Sequence, residues 1–198
     1  MCKWNIVKIF GLLIAINLLS CSTQRNVQRI NPDEQTDLSG RWNDTDSRLV
    51  SEELTAQLME EKWLSRYEMA NDSKRPVLIV GLVSNKTHEH INAETFIKDL
   101  ERAIIKNGSA RLVQAGDKRE ALRDERADQQ DYSSTATAKK WGMELGADFI
   151  VQGTINSIVD EYNNKKTVTY QINLELTHLE TNEIVWIGEK KIKKFITN

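Results

Sequence analysis

The 198-residue chain holds only two cysteines, Cys2 and Cys21. Both lie ahead of any folding pattern, so neither a disulfide nor a thiolate metal site can hold the folded part. Stability must come from packing. Proline is almost as scarce, with Pro32 and Pro76 alone. No charge of one sign dominates, since 27 Lys and Arg face 29 Asp and Glu. That balance gives no electrostatic case for nucleic acid. Nor is there a long hydrophobic run: Ile9 to Ile16 is the main one, far short of the ~20 residues that cross a bilayer. Catalytic signatures are missing too. No Gly-Xaa-Ser-Xaa-Gly turn occurs, and Gly81 has no companions for a phosphate loop. Of the three histidines, His88 and His90 are two apart, and His178 sits on a different predicted strand. Two ligands do not make a zinc site, so no metal and no cofactor are expected.

What is present begins with a leader. Lys3 and Lys8 are basic, Ile9 to Ile16 is apolar around Gly11, and small Ser20 precedes Cys21. This is the pattern of a secretory signal covering residues 1–20. Removing it leaves 178 residues, enough for one domain with a full core. Leu18-Leu19-Ser20-Cys21 resembles the lipobox of bacterial lipoproteins. The resemblance implies cleavage at Ser20–Cys21, lipidation of the Cys21 thiol and acylation of the new N-terminus. An ordinary signal peptide with an incidental Cys is the alternative. Several acyl chains at ~0.8 kcal/mol per methylene exceed the two-signal threshold for stable anchoring. No acidic residue directly follows Cys21. That points to the outer membrane, facing the periplasm, with the inner membrane left open.

Residues 21–37 are polar and aperiodic, a flexible tether ahead of a globular domain at 38–198. Counted to Thr45, the tether spans ~80 Å fully stretched and ~27 Å relaxed. Asp44, Thr45 and Asp46 offer N-caps to a helix from about Ser47 to Tyr67. Its apolar residues form two stripes: Val50, Leu54, Leu58 and Leu64; and Leu49, Ala56, Met59, Trp63 and Tyr67. Both stripes can be buried, or the Met59–Trp63–Tyr67 side can serve as a partner surface. Val77 to Val83 reads as a mid-sheet strand buried on both faces. Asn92 caps a helix over Ala93 to Asn107, with Phe96, Leu100, Ala103 and Ile104 on one face and Gly108 as C-cap. Ala110 to Gln114 closes a parallel βαβ unit. Asp117 to Tyr132 reads as a solvated charged helix, and Thr135 to Leu145 as a second, lined by Ala138, Trp141 and Leu145. Three strands follow, around Phe149–Val159, Val168–Leu176 and Ile184–Ile187, with turns at Asn163–Lys166 and Thr181–Asn182. The closing lysines, Lys190, Lys191, Lys193 and Lys194, read as edge guards. The expected fold is α/β (α+β), a five-stranded mixed sheet with helices packed on it, in the order α-β-α-β-α-α-β-β-β.

Three stretches carry a family resemblance. Leu38-Ser39-Gly40-Arg41-Trp42-Asn43-Asp44-Thr45-Asp46-Ser47 resembles the opening of the LpoB family. Asn85-Lys86-Thr87-His88-Glu89-His90-Ile91-Asn92 and Gly146-Ala147-Asp148-Phe149-Ile150-Val151-Gln152-Gly153-Thr154-Ile155 are similar to its later motifs. The resemblance covers about Leu38 to Ile196. It implies a fold similar to the N-terminal domain of TolB. It also implies a lipoprotein that docks on a non-catalytic module of a bifunctional, class A penicillin-binding protein and stimulates peptidoglycan synthesis. The complete hydrophobic pattern adds the expectation of a monomer, and the missing catalytic motifs that of no enzyme activity. One departure is the tether, which is shorter and poorer in proline than in the best-known members. An assembly or secretion accessory of the curli type is the second reading. Candidate partner-binding residues are Lys86, His88, Glu89 and His90 in the loop Ser84–Asn92, and the Met59, Trp63 and Tyr67 stripe. The loop is favoured, because a polar loop on a rigid scaffold is the usual place for recognition.

Overall fold

The structure, a computed structural model, describes residues 25–32, 34–132 and 144–197. The leader, Cys21 and residues 135–143 of the helix expected at Thr135–Leu145, with Ala138 and Trp141, lie outside the described residues. Glu144 and Leu145, which are described, are not helical. The chain divides into Met1–Glu34 and a folded unit, Gln35–Asn198.

The folded unit starts with α1, Asp44–Glu60. It begins a turn earlier than expected because Asn43, and none of Asp44, Thr45 or Asp46, is the N-cap. The Asn43 side chain accepts from the Asp46 N–H at 3.0 Å, and the Asp46 carboxylate accepts from the Asn43 N–H at 2.9 Å. This reciprocal box satisfies two donors that a helix start otherwise orphans. The single helix expected to Tyr67 is in fact two, with α2 at Lys62–Ala70. Glu61 between them is extended, at φ −79° and ψ 157°. The cause is Trp63. Its indole N–H donates to the Leu58 carbonyl at 2.6 Å, satisfying an acceptor that the end of α1 leaves open.

Strand β1 is Val77–Asn85, α3 is Ala93–Asn107 and β2 is Arg111–Leu112. Helix α3 has the bounds its caps predict. The Asn92 side chain accepts from the Glu94 N–H at 2.9 Å, and Gly108 sits at φ 79°, a left-handed conformation that glycine adopts without a Cβ penalty. Strand β2 is shorter than the expected Ala110–Gln114. Helix α4, Gly116–Tyr132, is as solvated as its sequence: side chains 120–129 are all exposed. Strands β3 (Phe149–Tyr162), β4 (Lys165–His178) and β5 (Ile184–Thr197) complete the sheet.

The strand order is β2-β1-β3-β4-β5. Strand β1 pairs in parallel with β2 and β3, while β3–β4 and β4–β5 are antiparallel. Helices α1 and α3 pack on each other; α1 also meets β5, and α3 meets β1 and β2. Val168, Tyr170, Ile172, Leu174 and Leu176 are buried on one face of β4, as strict alternation predicts. They meet Val50, Leu54 and Leu58 of α1 and Phe96, Leu100 and Ile104 of α3 in one core. Each such side chain contributes ~1.5–3 kcal/mol by leaving water. Strand β1 departs from the reading that both its faces are buried. Its register against β3 shifts between Val80 and Val83, and Leu82 is 72% exposed.

Candidate functional site

The loop after β1 is built by its own side chains. Asn85 Oδ1 accepts from the Thr87 N–H at 2.9 Å, and Asn85 Nδ2 donates to the Glu89 carbonyl at 2.8 Å. Lys86 N–H extends the sheet by donating to Ile155 O at 2.8 Å. Side chains then alternate: Lys86, His88 and His90 are exposed, whereas Thr87, Glu89 and Ile91 turn inward. Asn92 ends the loop by capping α3, so scaffold holds it at both ends.

Glu89 therefore does not belong to the outward surface with its three neighbours. Its Oε2 accepts from the Trp42 N–H at 3.1 Å and its Oε1 from the Tyr170 hydroxyl at 2.6 Å. The Trp42 ring stands edge-on to Tyr170, with centroids 5.4 Å apart. Burial first, then the Glu89 hydrogen bond, hold the Tyr170 phenol well above its ordinary pKa. Glu89 is a polar tie between loop, sheet and the segment leading into α1.

That segment is tied a second time. Strand β5 is the edge strand, as the closing lysines suggest, yet the Lys194 side chain turns to its inward side. Its ammonium reaches Asp37 at 2.8 Å and Asp46 at 2.6 Å, and donates to the Arg41 carbonyl at 2.9 Å. Burial alone would lower the Lys194 pKa, but the two carboxylates together carry it upward. Asp37 is held down at about 2, chiefly by the Lys194 hydrogen bond. Gly40 passes over β5 at φ +67°, so close that a Cβ there would lie 2.5 Å from Ile196 Cδ1. The strap 35–43 is thus fixed to the last strand.

The second candidate stripe does not form a surface. Met59 and Trp63 are each only 6% exposed, packed in the core. Trp63 and Tyr67 both stand edge-on to Phe149, at 5.2 and 5.5 Å. The half-buried Tyr67 hydroxyl donates to Asp148 at 2.7 Å, and burial with that bond raises its pKa to about 12. Asp148 also accepts from the Val77 N–H at 2.7 Å, joining α2, β1 and β3. Leu49 and Ala56, by contrast, are exposed, so the stripe is split. His178 stands edge-on to Phe149 with ring centroids 4.9 Å apart and belongs to this cluster. Among the described residues, no three His, Cys, Asp or Glu side chains gather where a metal ion could sit.

What the structure brings to the loop is a cleft of about 250 Å³ lined by Arg41, His88, Glu89, His90, Ser157, Val159 and Lys166. Arg41, Ser157 and Lys166 were not singled out from the sequence. Arg41 lies in the strap, Ser157 on β3 and Lys166 on β4, far from the loop along the chain. No spacing signal links them, because only the folding of strap and hairpin makes them neighbours.

The family model "Peptidoglycan-synthase activator LpoB" matches residues 46–192. The chain belongs to the LpoB family. Among solved structures it is similar to the LpoB C-terminal domain from Escherichia coli, at 18% identity over 74% of this chain and 98% of that one, with TM-score 0.43. The LpoB C-terminal domain from Salmonella enterica matches at 20% identity over 65% and 91%, with TM-score 0.34. Lipoprotein GNA1162 from Neisseria meningitidis matches at 13% identity over 61% and 83%, with TM-score 0.38. No curated protein matches the sequence. The LpoB match opens at Asp46, inside the capping box, and closes at Ile192 on β5. It takes in the loop and every helix and strand from α1 to most of β5.

Proposed function

We propose that the mature chain is a lipid-anchored envelope protein, held at the outer membrane through Cys21 and facing the periplasm. In this reading it docks on the non-catalytic module of a class A penicillin-binding protein and stimulates peptidoglycan synthesis, with no turnover of its own. The observation that carries the reading is the match to the peptidoglycan-synthase activator family across residues 46–192. An activator needs only to bind the active form of its enzyme better than the inactive form. A rigid surface is enough for that, and the loop supplies one in Lys86, His88 and His90. The curli-type accessory reading would need a hairpin with an apolar face free for lipid. The apolar face of β4 is instead consumed by the domain's own core.

The test adds the purified full chain to a class A penicillin-binding protein from the same cell. Faster glycan polymerisation, with no product from the chain alone, is expected. If the chain neither binds nor stimulates any such enzyme, the activator reading falls and the accessory reading takes its place. In the same cells, Cys21→Ala should lose fatty-acid label and membrane retention; a labelled variant would remove the anchor.

A further inference from the structure

The cleft beside the loop gathers basic side chains from three parts of the chain: Arg41 from the strap, His88 and His90 from the loop, and half-buried Lys166 from β4. Among the described residues, no ion pair engages the side chains of Arg41, Lys166, His88 or His90. Elsewhere Lys194, Lys98 and Arg123 meet carboxylates of this chain. The sole carboxylate lining the cleft is Glu89, and both its oxygens already accept bonds from Trp42 and Tyr170. Two permanent cations and two histidines thus line a concave site whose one carboxylate is already committed to two donors of this chain. A cleft in which fixed cations outnumber carboxylates carries a positive field and favours an anionic occupant. Its fixed width and the planar Arg41 fork suit a carboxylate, which a guanidinium can hold by two parallel bonds. Ser157 adds a hydroxyl donor, and Val159 adds apolar surface for a side-chain stem.

We propose that this cleft binds an acidic loop of the partner protein, with Arg41 and Lys166 pairing its Asp or Glu carboxylates and His88 and His90 flanking them. The inference rests on the activator reading and names the partner chemistry at that reading's loop. It adds Arg41 and Lys166 to the binding surface and takes Glu89 out, since Glu89 holds the cleft's shape.

The test has two independent arms on the full chain. In the first, ring resonances of His88 and His90 are followed by NMR while a hexapeptide of alternating Asp and Glu is added, then inorganic phosphate, then phosphatidylglycerol vesicles. Saturable shifts with the peptide alone are expected. Equal shifts with phosphate or vesicles would replace the acidic-loop proposal with a general anion or lipid site, and no shift with any probe would end it. In the second arm, affinity for the synthase is measured for Arg41→Glu, Lys166→Glu and the pair, with Lys106→Glu on α3 as the control. The paired variant should bind at least about tenfold more weakly, because truncating or reversing a desolvated charge pair acts on dissociation. Arg41→Lys should recover part of the loss, and circular dichroism should be unchanged. Wild-type affinity in the paired variant overturns the cleft while leaving the activator reading intact. Failure of the wild type to bind any synthase overturns the activator reading, and the peptide arm still decides whether the cleft takes carboxylates.

Discussion

Lys194 meets Asp37 and Asp46 with 11% of its side chain exposed, whereas Arg123 on α4 meets Glu120 and Glu144 with 45% exposed. In each, one cation meets two carboxylates at similar distances, and on α4 Arg126 adds a second cation to Glu144. Their surroundings differ. Asp46 is 6% exposed and fixed twice, by the capping box and by Lys194. Removing the ammonium would strand a carboxylate that water cannot reach freely. On α4 every partner can exchange its bond for water, so Coulomb attraction there is screened and offset by lost side-chain entropy. Identical chemistry therefore fastens the strap to β5 and merely solvates α4.

Lys194→Ala tests the buried side hardest. It should destabilise the domain by about 3 kcal/mol, the range seen when one partner of a buried pair is removed. For a domain of this size that is a Tm loss of roughly 6–12 °C in calorimetry. The pH dependence sharpens the same point. Asp37 has its pKa depressed from 3.8 to about 2, so its contribution is present above pH 3.8 and is lost as pH falls toward 2. Lys194 is shifted upward from 10.5, so its contribution is present below pH 10.5 and is lost as pH rises beyond that. Lys194→Ala should flatten both limbs. An unchanged Tm and unchanged acid limb would mean that the strap is not held by this lysine.

Tyr170→Phe is the next largest effect. It keeps the ring against Trp42 and takes only the hydroxyl that Glu89 Oε1 accepts. An inward-turned carboxylate oxygen left without its donor should cost about 2 kcal/mol in denaturant unfolding. The alkaline limb should also change. The Tyr170 pKa lies above its ordinary 10.0, so the native state loses ground once the unfolded phenol ionises above pH 10. A Tyr170→Phe protein as stable as the parent would show that Glu89 finds another donor, and the loop would then owe nothing to the Tyr170 hydroxyl.

These buried ties were the least legible part of the sequence. Helix α3 could be read residue by residue, because Asn92, Gly108 and the Phe96–Leu100–Ile104 spacing are local signals. So could β4, whose alternation needs nothing beyond its own residues. The break at Glu61 could not, since it depends on one indole N–H reaching the Leu58 carbonyl. Glu89 looked like one more polar loop residue because its partners Trp42 and Tyr170 lie 47 and 81 positions away. In the sequence Lys194 reads as one edge guard among four lysines. Only the phase of β5 against β4, Lys194 opposite Val168, turns it inward. The Met59–Trp63 stripe was amphipathic enough to suit either core or partner, and both residues are packed into the core, one on each side of the helix break at Glu61. The loop itself was found from the sequence, but Arg41 and Lys166 were not, because the cleft exists only once strap, loop and hairpin meet.

The smallest effect belongs to α4. Glu144→Ala breaks the contacts at 2.9 Å to both Arg123 and Arg126, as many ion pairs as Lys194→Ala breaks. The shifts these groups show run in the pairing direction: Arg123 upward, first through its hydrogen bond to Glu144, and Glu144 downward, first through its bond to Arg123. Yet all three side chains are a third or more exposed, and each regains water when its partner goes. The Tm of Glu144→Ala should move by less than about 2 °C. Raising the salt from 0.05 to 0.5 M should shrink even that, because exposed charges are screened within about a Debye length, ~8–10 Å at intermediate salt. Lys194→Ala should keep most of its penalty under the same change, since the Lys194–Asp46 pair is enclosed by strap and strand, although the more exposed Asp37 pair is screened. If Glu144→Ala costs as much as Lys194→Ala, the contrast between the two networks is wrong. The helix α4 would then have to be counted among the elements that hold the domain together.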